Sequence, residues 1–419
     1  MTKKPPQKKR PTPKPSQVME MLENAGYKFR FNVANEEIEC NGRIMSDSQA
    51  AKIRCWAKEY EIGVYGRDAL GDIMTLAAMQ NEYHPVGEYL SGITWDGQDH
   101  ITELCKKFIS HDSPIRYVND IVTQIPELYI RKFLIGAIAK ALHGEQNNVI
   151  VLEGPQNCGK SNFAKWLCSG MPEYFIESPL YGNMKDMDMS LISNFIWEIS
   201  ELDATTAKKD IASIKAFVTK HIVETRPAYG RFRIKKPSMA SFIGTVNPGT
   251  GFLADESGNR RFMCMRISSI DWSYSKDPPH QLWAQAYYLY MHGERWTLSA
   301  HEKAYQTEHN KSFDIENPVE DFIRKYFDIT GDRTDFVATT EIIDTLRKKD
   351  VLLSPSRSTS MEISRAMSRI GSKKARDGAI RGYSGIRRND LSYQPKPYEP
   401  QTQEDEPKYE KRFEQQPLN

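Results

Sequence analysis

Apolar residues crowd the middle of the chain. From Ile125 to Leu142 the sequence IPELYIRKFLIGAIAKAL keeps helical spacing yet is apolar on nearly every side, which predicts a helix sunk in a core. A polar break at 143–148 is followed by Val149–Glu153, VIVLE, an unbroken apolar run. Such a run predicts a strand buried on both faces, as in a parallel sheet. Further strands are predicted at 195–199 (FIWEI) and 240–246 (ASFIGTV), with helical patterns between them. Residues 148–310 therefore read as an α/β domain.

The flanks are weaker patterns. Val18 and Leu22 ahead of Gly26 predict a short helix, and residues 28–40 (KFRFNVANEEIEC) alternate as two short strands around Ala34-Asn35. Helical spacing returns near 48–62 and 69–80, so residues 17–83 predict a small mixed α/β domain. Residues 84–147 carry a helix, a turn at Trp95-Asp96-Gly97 and more helix, a helical collar or linker. Residues 319–388 predict a small, mostly helical unit, with helices at 319–327, 339–349 and 360–370, closed by the basic stretch GSKKARDGAIRGYSGIRR. Residues 1–16, rich in Lys, Arg and Pro, predict a disordered basic arm, and 389–419 a disordered tail.

Composition narrows the class. At 39% hydrophobic and 27% charged residues, the chain is neither collagen-like nor wholly disordered. No stretch approaches the ~20 apolar residues of a membrane-spanning helix, and the basic start lacks an apolar core behind it. A soluble, cytoplasmic protein is the expectation, with no membrane partner. A net charge of +2 means that any nucleic-acid site must be a local patch. Six cysteines without a CxxC pair predict reduced thiols rather than a zinc site or disulfide framework.

One motif carries chemistry. Gly154-Pro155-Gln156-Asn157-Cys158-Gly159-Lys160-Ser161 follows the predicted strand and opens a predicted helix continuing through Asn162. That is the setting in which backbone N–H groups cradle phosphates, a lysine reaches the β- and γ-phosphates and a serine hydroxyl ligates Mg²⁺. ATP and Mg²⁺ are the expected ligands. Such an enzyme also needs an acid at the end of a second core strand, and 195–203 (FIWEISELD) supplies Glu198, Glu201 and Asp203. Glu201 is favoured for activating water, with Glu198 close behind and a candidate metal ligand beside Ser161; a structural ion pair is the alternative for Glu198, a helix cap for Asp203. A third strand ends at Asn247, suited to orienting the attacking water or to capping a turn with Pro248. Arg260 and Arg261 follow, suited to stabilising the transferring phosphoryl group in a neighbouring subunit's site.

The ordered set GPQNCGKS, FIWEISELD, IKAFVTKHIVETRPAYGRFRIKK, FIGTVN and DESGNRRF resembles the virulence-associated protein E family of phages and mobile genetic elements, over roughly residues 84–300. The resemblance implies a superfamily 3-like replicative helicase on a P-loop AAA+ core. Gly154, Gly159, Lys160 and Ser161 match its Walker A loop, Glu198 and Glu201 its Walker B strand, Asn247 its polar sensor, and Arg260 or Arg261 its arginine finger. Ser200-Glu201 stands where the commonest AAA+ pattern has Asp-Glu, which leaves open which acid holds metal.

Between the acid and sensor strands, residues 226–236 (RPAYGRFRIKK) alternate basic and apolar positions around Tyr229-Gly230, predicting a β-hairpin with one charged face. In the ring helicases that the chain resembles, a hairpin here grips single-stranded DNA. Arg231, Arg233, Lys235 and Lys236 would meet phosphates while Tyr229 or Phe232 stacks on a base. The C-terminal unit, with its basic end, would suit a winged helix on duplex origin DNA. The expectation is an ATP-driven DNA helicase acting as a ring, a hexamer of this chain, alongside a separate primase or host replication proteins. The alternatives are an ATP-switched initiator without processive unwinding and a P-loop small-molecule kinase.

Overall fold

The computed structural model describes residues 13–60, 62, 67–117, 121–180, 183–202, 211–226, 233–248, 252–253, 259–314, 318–348, 360, 363–364, 366–368 and 370–389. Most of the expected basic arm and nearly all of the expected tail lie outside these residues, as do Asp203, Tyr229, Arg231 and Phe232. The chain divides into two compact units, Met1–Ile315 and Glu316–Asn419.

The first unit begins with helix α1 (Pro15–Asn24) and strands β1 (Phe29–Asn32), β2 (Glu37–Cys40) and β3 (Arg43–Ile44). Helices α2 (Asp47–Glu59) and α3 (Arg67–Met79) and strand β4 (Glu82–Tyr83) complete a four-stranded sheet of order β3-β2-β1-β4. Val18, Leu22, Ile53, Ile73 and Phe31 fill its core. Helices α4 (Pro85–Ser91) and α5 (His100–Cys105), strands β5 (Phe108–Ile109), β6 (Ile115–Arg116) and β7 (Val122–Thr123), and helix α6 (Ile125–His143) follow. Gly144, at φ +69°, caps α6 in the left-handed conformation that glycine adopts at least cost.

The centre is one parallel sheet built from β8 (Val149–Glu153), β9 (Phe175–Glu177), β10 (Ile196–Ile199), β13 (Ser241–Val246) and β14 (Phe262–Arg266). Its order is β14-β8-β13-β10-β9. Every residue of β8, β10 and β13 is buried, because helices cover both faces. On one side α6 and α7 (Lys160–Leu167) contribute Phe133, Ile138 and Phe163 against Ile150 and Ile243. On the other, Leu191 of α8 (Met184–Ser193) and Phe217 of α9 (Ile211–Val218) pack on Trp197 and Phe242. The short strands β11 (Ile222–Thr225) and β12 (Ile234–Pro237) form a separate antiparallel ribbon before β13. After β14 come β15 (Ser269–Ile270), paired with β5, and helices α10 (His280–Met291) and α11 (Ala300–Asn310).

The second unit holds α12 (Pro318–Tyr326), β16 (Phe327–Ile329), β17 (Phe336–Ala338), α13 (Thr339–Lys348), β18 (Lys373–Asp377), β19 (Ile380–Ser384) and β20 (Ile386–Arg388). The basic stretch expected to close a mostly helical unit is therefore three strands. Tyr383 and Ile386 are buried while Lys373, Lys374, Arg376 and Arg381 stay exposed, and Gly378 at φ +59° turns β18 into β19. Among the described residues no helix is long and apolar enough to cross a membrane, and no three His, Cys, Asp or Glu side chains group as a metal site. All six cysteines are free.

Candidate functional site at the carboxyl ends of the parallel strands

The loop leaving β8 curls back over the sheet and enters α7 at Lys160. Its two flanking glycines are dictated by close approach. A Cβ on Gly154 would stand 2.2 Å from the Ile267 carbonyl oxygen, and one on Gly159 would stand 2.1 Å from the Trp272 indole. Gly159 also sits at φ +106°. The segment after β14 thus runs against the loop at both ends, a packing partner that the motif alone does not announce. Lys160 is buried, and its ammonium donates to the carbonyls of Gly154 at 2.5 Å and Pro155 at 2.7 Å. Pro155, Gln156 and Asn157 are exposed on the loop, Cys158 is buried, and Ser161 and Asn162 are exposed on the first turn of α7.

Strand order brings the acids to this loop. β13 lies between β8 and β10, so the end of β10 reaches the loop across the tip of β13. One cleft is lined by Asn157, Lys160, Ser161, Glu201, Thr245 and Asn247. Glu201 takes φ +50°, in the left-handed region that non-glycine residues seldom occupy. Glu198 is fully buried beneath the cleft; its Oε1 accepts from the Thr245 hydroxyl at 3.5 Å, while Oε2 has no hydrogen-bond partner among the described residues. Burial pushes the Glu198 carboxyl up to about 7, reinforced by the neighbouring Glu177 and opposed by the Ser161 and Thr245 hydroxyls and Lys160. The structure brings Lys160, Ser161, Glu201 and Asn247 to one cleft, with Glu198 directly beneath. It adds Glu177 and Thr245, which the sequence reading did not single out.

Arg260 and Arg261 lie elsewhere. Phe262, the next residue, pairs with Val149 at the start of β8, whereas the Gly154–Ser161 loop follows Glu153 at its end. At about 3.3 Å per residue, the arginines stand roughly 13 Å or more from that loop. Their backbone is held firmly: Asn310 donates to the Asn259 and Phe262 carbonyls, both at 2.9 Å, and Asn148 to that of Arg260 at 2.9 Å. Arg260 is exposed and Arg261 half-buried. Neither guanidinium can serve the loop of its own chain.

The β11–β12 ribbon aligns Val223 with Lys236 and Glu224 with Lys235. Arg233 is exposed and pairs with Glu224 at 3.0 Å, and Lys235 is exposed. Lys236 departs from the expected DNA-facing set. Its ammonium bonds the Val33 carbonyl and the Glu36 carboxylate, both in the β1–β2 turn of the N-terminal domain. A side chain alternating with exposed neighbours is free to meet another domain instead of a ligand. At the ribbon's base, Lys220 pairs with Asp188 of α8 at 2.6 Å. Arg226 is exposed just after β11, and the expected DNA-contacting residues Tyr229 and Arg231 lie outside the described residues.

No curated protein matches the chain. Among solved structures, it is similar to an A-form apo structure of the NrS-1 C-terminal region (305–718), with a TM-score of 0.46 and 11% identity over 88% of this chain and 99% of that one. A second apo structure of the same region aligns with a TM-score of 0.42 and 10% identity over 89% of this chain and 99% of that one. The model of the virulence-associated protein E-like domain matches residues 90–315, more than half of the 419 residues. That span takes in the Gly154–Ser161 loop, the acid and polar strand ends, the ribbon and the arginine pair, and the chain belongs to the virulence-associated protein E-like family.

Proposed function

We propose that the protein is an ATP-dependent DNA helicase of a phage or mobile genetic element, a P-loop AAA+ ATPase that works as a ring, as a hexamer, in DNA replication. The observation that carries this reading is the convergence of Lys160, Ser161, Glu201 and Asn247 on one cleft, over a buried Glu198. The insertion of β13 between the loop strand and the acid strand agrees with the AAA+ core that the motif order implies.

The residues divide the work. Backbone N–H groups of the loop and the start of α7 would hold the phosphates, and Lys160 would exchange its loop carbonyls for phosphate oxygens. The donor set fits Mg²⁺: oxygen atoms only, with the unpartnered Glu198 Oε2 near the Ser161 hydroxyl. Mg²⁺ would supply charge neutralisation on the phosphates, held by Ser161 and Glu198. Glu201, at the rim, would accept a proton from the attacking water that Asn247 orients. Arg260 or Arg261 would reach the neighbouring subunit's site, as their distance from their own loop supports. Tyr229, Arg231, Arg233 and Lys235 would contact single-stranded DNA, and the exposed Lys373, Lys374, Arg376 and Arg381 would contact duplex.

Strand displacement from a forked duplex tests this reading. The wild type should release the strand with ATP and Mg²⁺, and Lys160→Ala should not. ATP-dependent duplex binding without strand release would favour the initiator instead.

A further inference from the structure

The nucleotide cleft contains a carboxylate that the roles above do not use. Glu177 ends β9, and the parallel register sets it directly beside Glu198 on β10. Paired residues on neighbouring parallel strands project to the same face, with strands about 4.8 Å apart. Glu177 is exposed and lines the same cleft as Lys160, Ser161, Glu201 and Asn247. Its carboxylate has no hydrogen bond or ion pair among the described residues. Its place is fixed from behind: the Ser178 amide donates to the Glu198 carbonyl at 3.0 Å, and the Trp197 indole donates to the Ser178 carbonyl at 2.8 Å.

Two acids are thus held side by side at the phosphate loop. The Lys160 ammonium beside Glu198 is bonded to the loop's own carbonyls. The buried Glu198 meanwhile keeps Oε2 without a partner. Two carboxyls fixed this close both ionise only beside a compact countercharge, and oxygen ligands with room for water suit Mg²⁺. We infer that Glu177 is a positioning residue for the divalent cation, holding its water shell opposite Ser161 and Glu198. This inference rests on the nucleotide-binding reading and extends it to a residue on the outer strand of the sheet. Without the cation, the same carboxylate faces a polyanion and opposes its binding.

Those two effects have opposite signs, which makes them separable from a merely structural role. The experiment titrates a fluorescent ATP analogue into the full chain, as wild type, Glu177→Gln, Glu177→Asp and Lys160→Ala, in Mg²⁺ and again in EDTA. Glu177→Gln should need roughly tenfold more Mg²⁺ to reach half-maximal nucleotide binding. In EDTA it should bind the analogue as tightly as the wild type or more tightly. Glu177→Asp should recover part of the Mg²⁺ affinity, and all variants should melt within a few degrees of the wild type. An unchanged Mg²⁺ midpoint in Glu177→Gln, with wild-type binding that depends on Lys160, overturns the inference alone. Equal weakening of Glu177→Gln in Mg²⁺ and EDTA also overturns it. Absence of Lys160-dependent binding by the wild type overturns the nucleotide reading and the inference together.

Discussion

The cleft around Lys160 and the β11–β12 ribbon both present basic and acidic side chains, yet they hold them by different means. The cleft rests on strands in which every residue of β8, β10 and β13 is buried, so its side chains are fixed by packing from both faces. The ribbon is two strands deep, with only Val223 and Thr225 buried along β11 and no fully buried residue along β12. It is tied down at its base by Lys220–Asp188 and along its stem by Lys236 on the N-terminal turn. The lesson is a division of labour. The proposed chemistry sits where the sheet permits no slack, and the element proposed to move on DNA is held by Val223 in the core beside Trp197 and Phe242 and by a few polar contacts that can be exchanged.

Replacing both Arg260 and Arg261 by Ala should have the largest effect, lowering hydrolysis by about 10³ while leaving nucleotide binding intact. Mixing that variant with Lys160→Ala should restore activity, since each supplies what the other lacks at a shared site. No recovery on mixing would place the arginines outside the reaction. Next, Glu201→Gln should lower hydrolysis about 10²-fold with unchanged affinity for nucleotide, measured by single turnover. An equal loss of affinity would move Glu201 from water activation to ligand holding.

Gly159→Ala tests the rigidity of the cleft. The added methyl meets Trp272 at a backbone angle of +106°, and a cost of about 2 kcal/mol in urea unfolding is expected. Trp272→Ala in the same chain should recover part of that cost, because it removes the collision but not the backbone strain.

Glu198 adds a pH dependence confined to the cleft. Burial raises its carboxyl from the ordinary 4.5 to about 7. The folded, nucleotide-free protein then keeps a proton that the unfolded chain releases above pH 4.5. The group's effect on stability is therefore most favourable below 4.5, declines as pH rises, and reaches its full cost above about 7. Glu198→Gln should flatten that decline, read as melting temperature from pH 5 to 8. A parallel decline in both proteins would assign it to other groups.

Lys236→Ala should have the smallest effect on stability, below about 1 kcal/mol for a partly exposed ion pair. It sharpens the comparison through protection of the ribbon amides. Hydrogen exchange should rise along β11 and β12 and stay unchanged along β10 and β13. A rise shared by the central strands would show that the ribbon and cleft are one cooperative block.

Much of the cleft can be read from the sequence because its strands are long, apolar and interrupted by motifs. VIVLE and ASFIGTV announce themselves, and GPQNCGKS fixes the loop. The outer strands escape notice. β9 is only Phe175–Glu177, and β14, FMCMR, combines Met and Cys with a basic end, so neither offers a clear β signal. Missing β9 means missing Glu177, whose importance lies in its register with Glu198 rather than in any local motif. Trp272 is silent for the same reason, since nothing near it in sequence foretells contact with Gly159. The ribbon stem follows from its alternation, but alternation cannot say that Lys236 meets the β1–β2 turn, some two hundred residues earlier. The basic end of the second unit shows how charge can hide strands: KKARDGAIRGYS reads first as a patch and folds as β18 and β19.

ATP hydrolysis by the purified full chain, with and without single-stranded DNA and beside Lys160→Ala, tests the central claim most directly. Hydrolysis that DNA stimulates several-fold and that disappears in Lys160→Ala is the predicted result. Hydrolysis indifferent to DNA, or undiminished in Lys160→Ala, would contradict a DNA motor driven from this cleft.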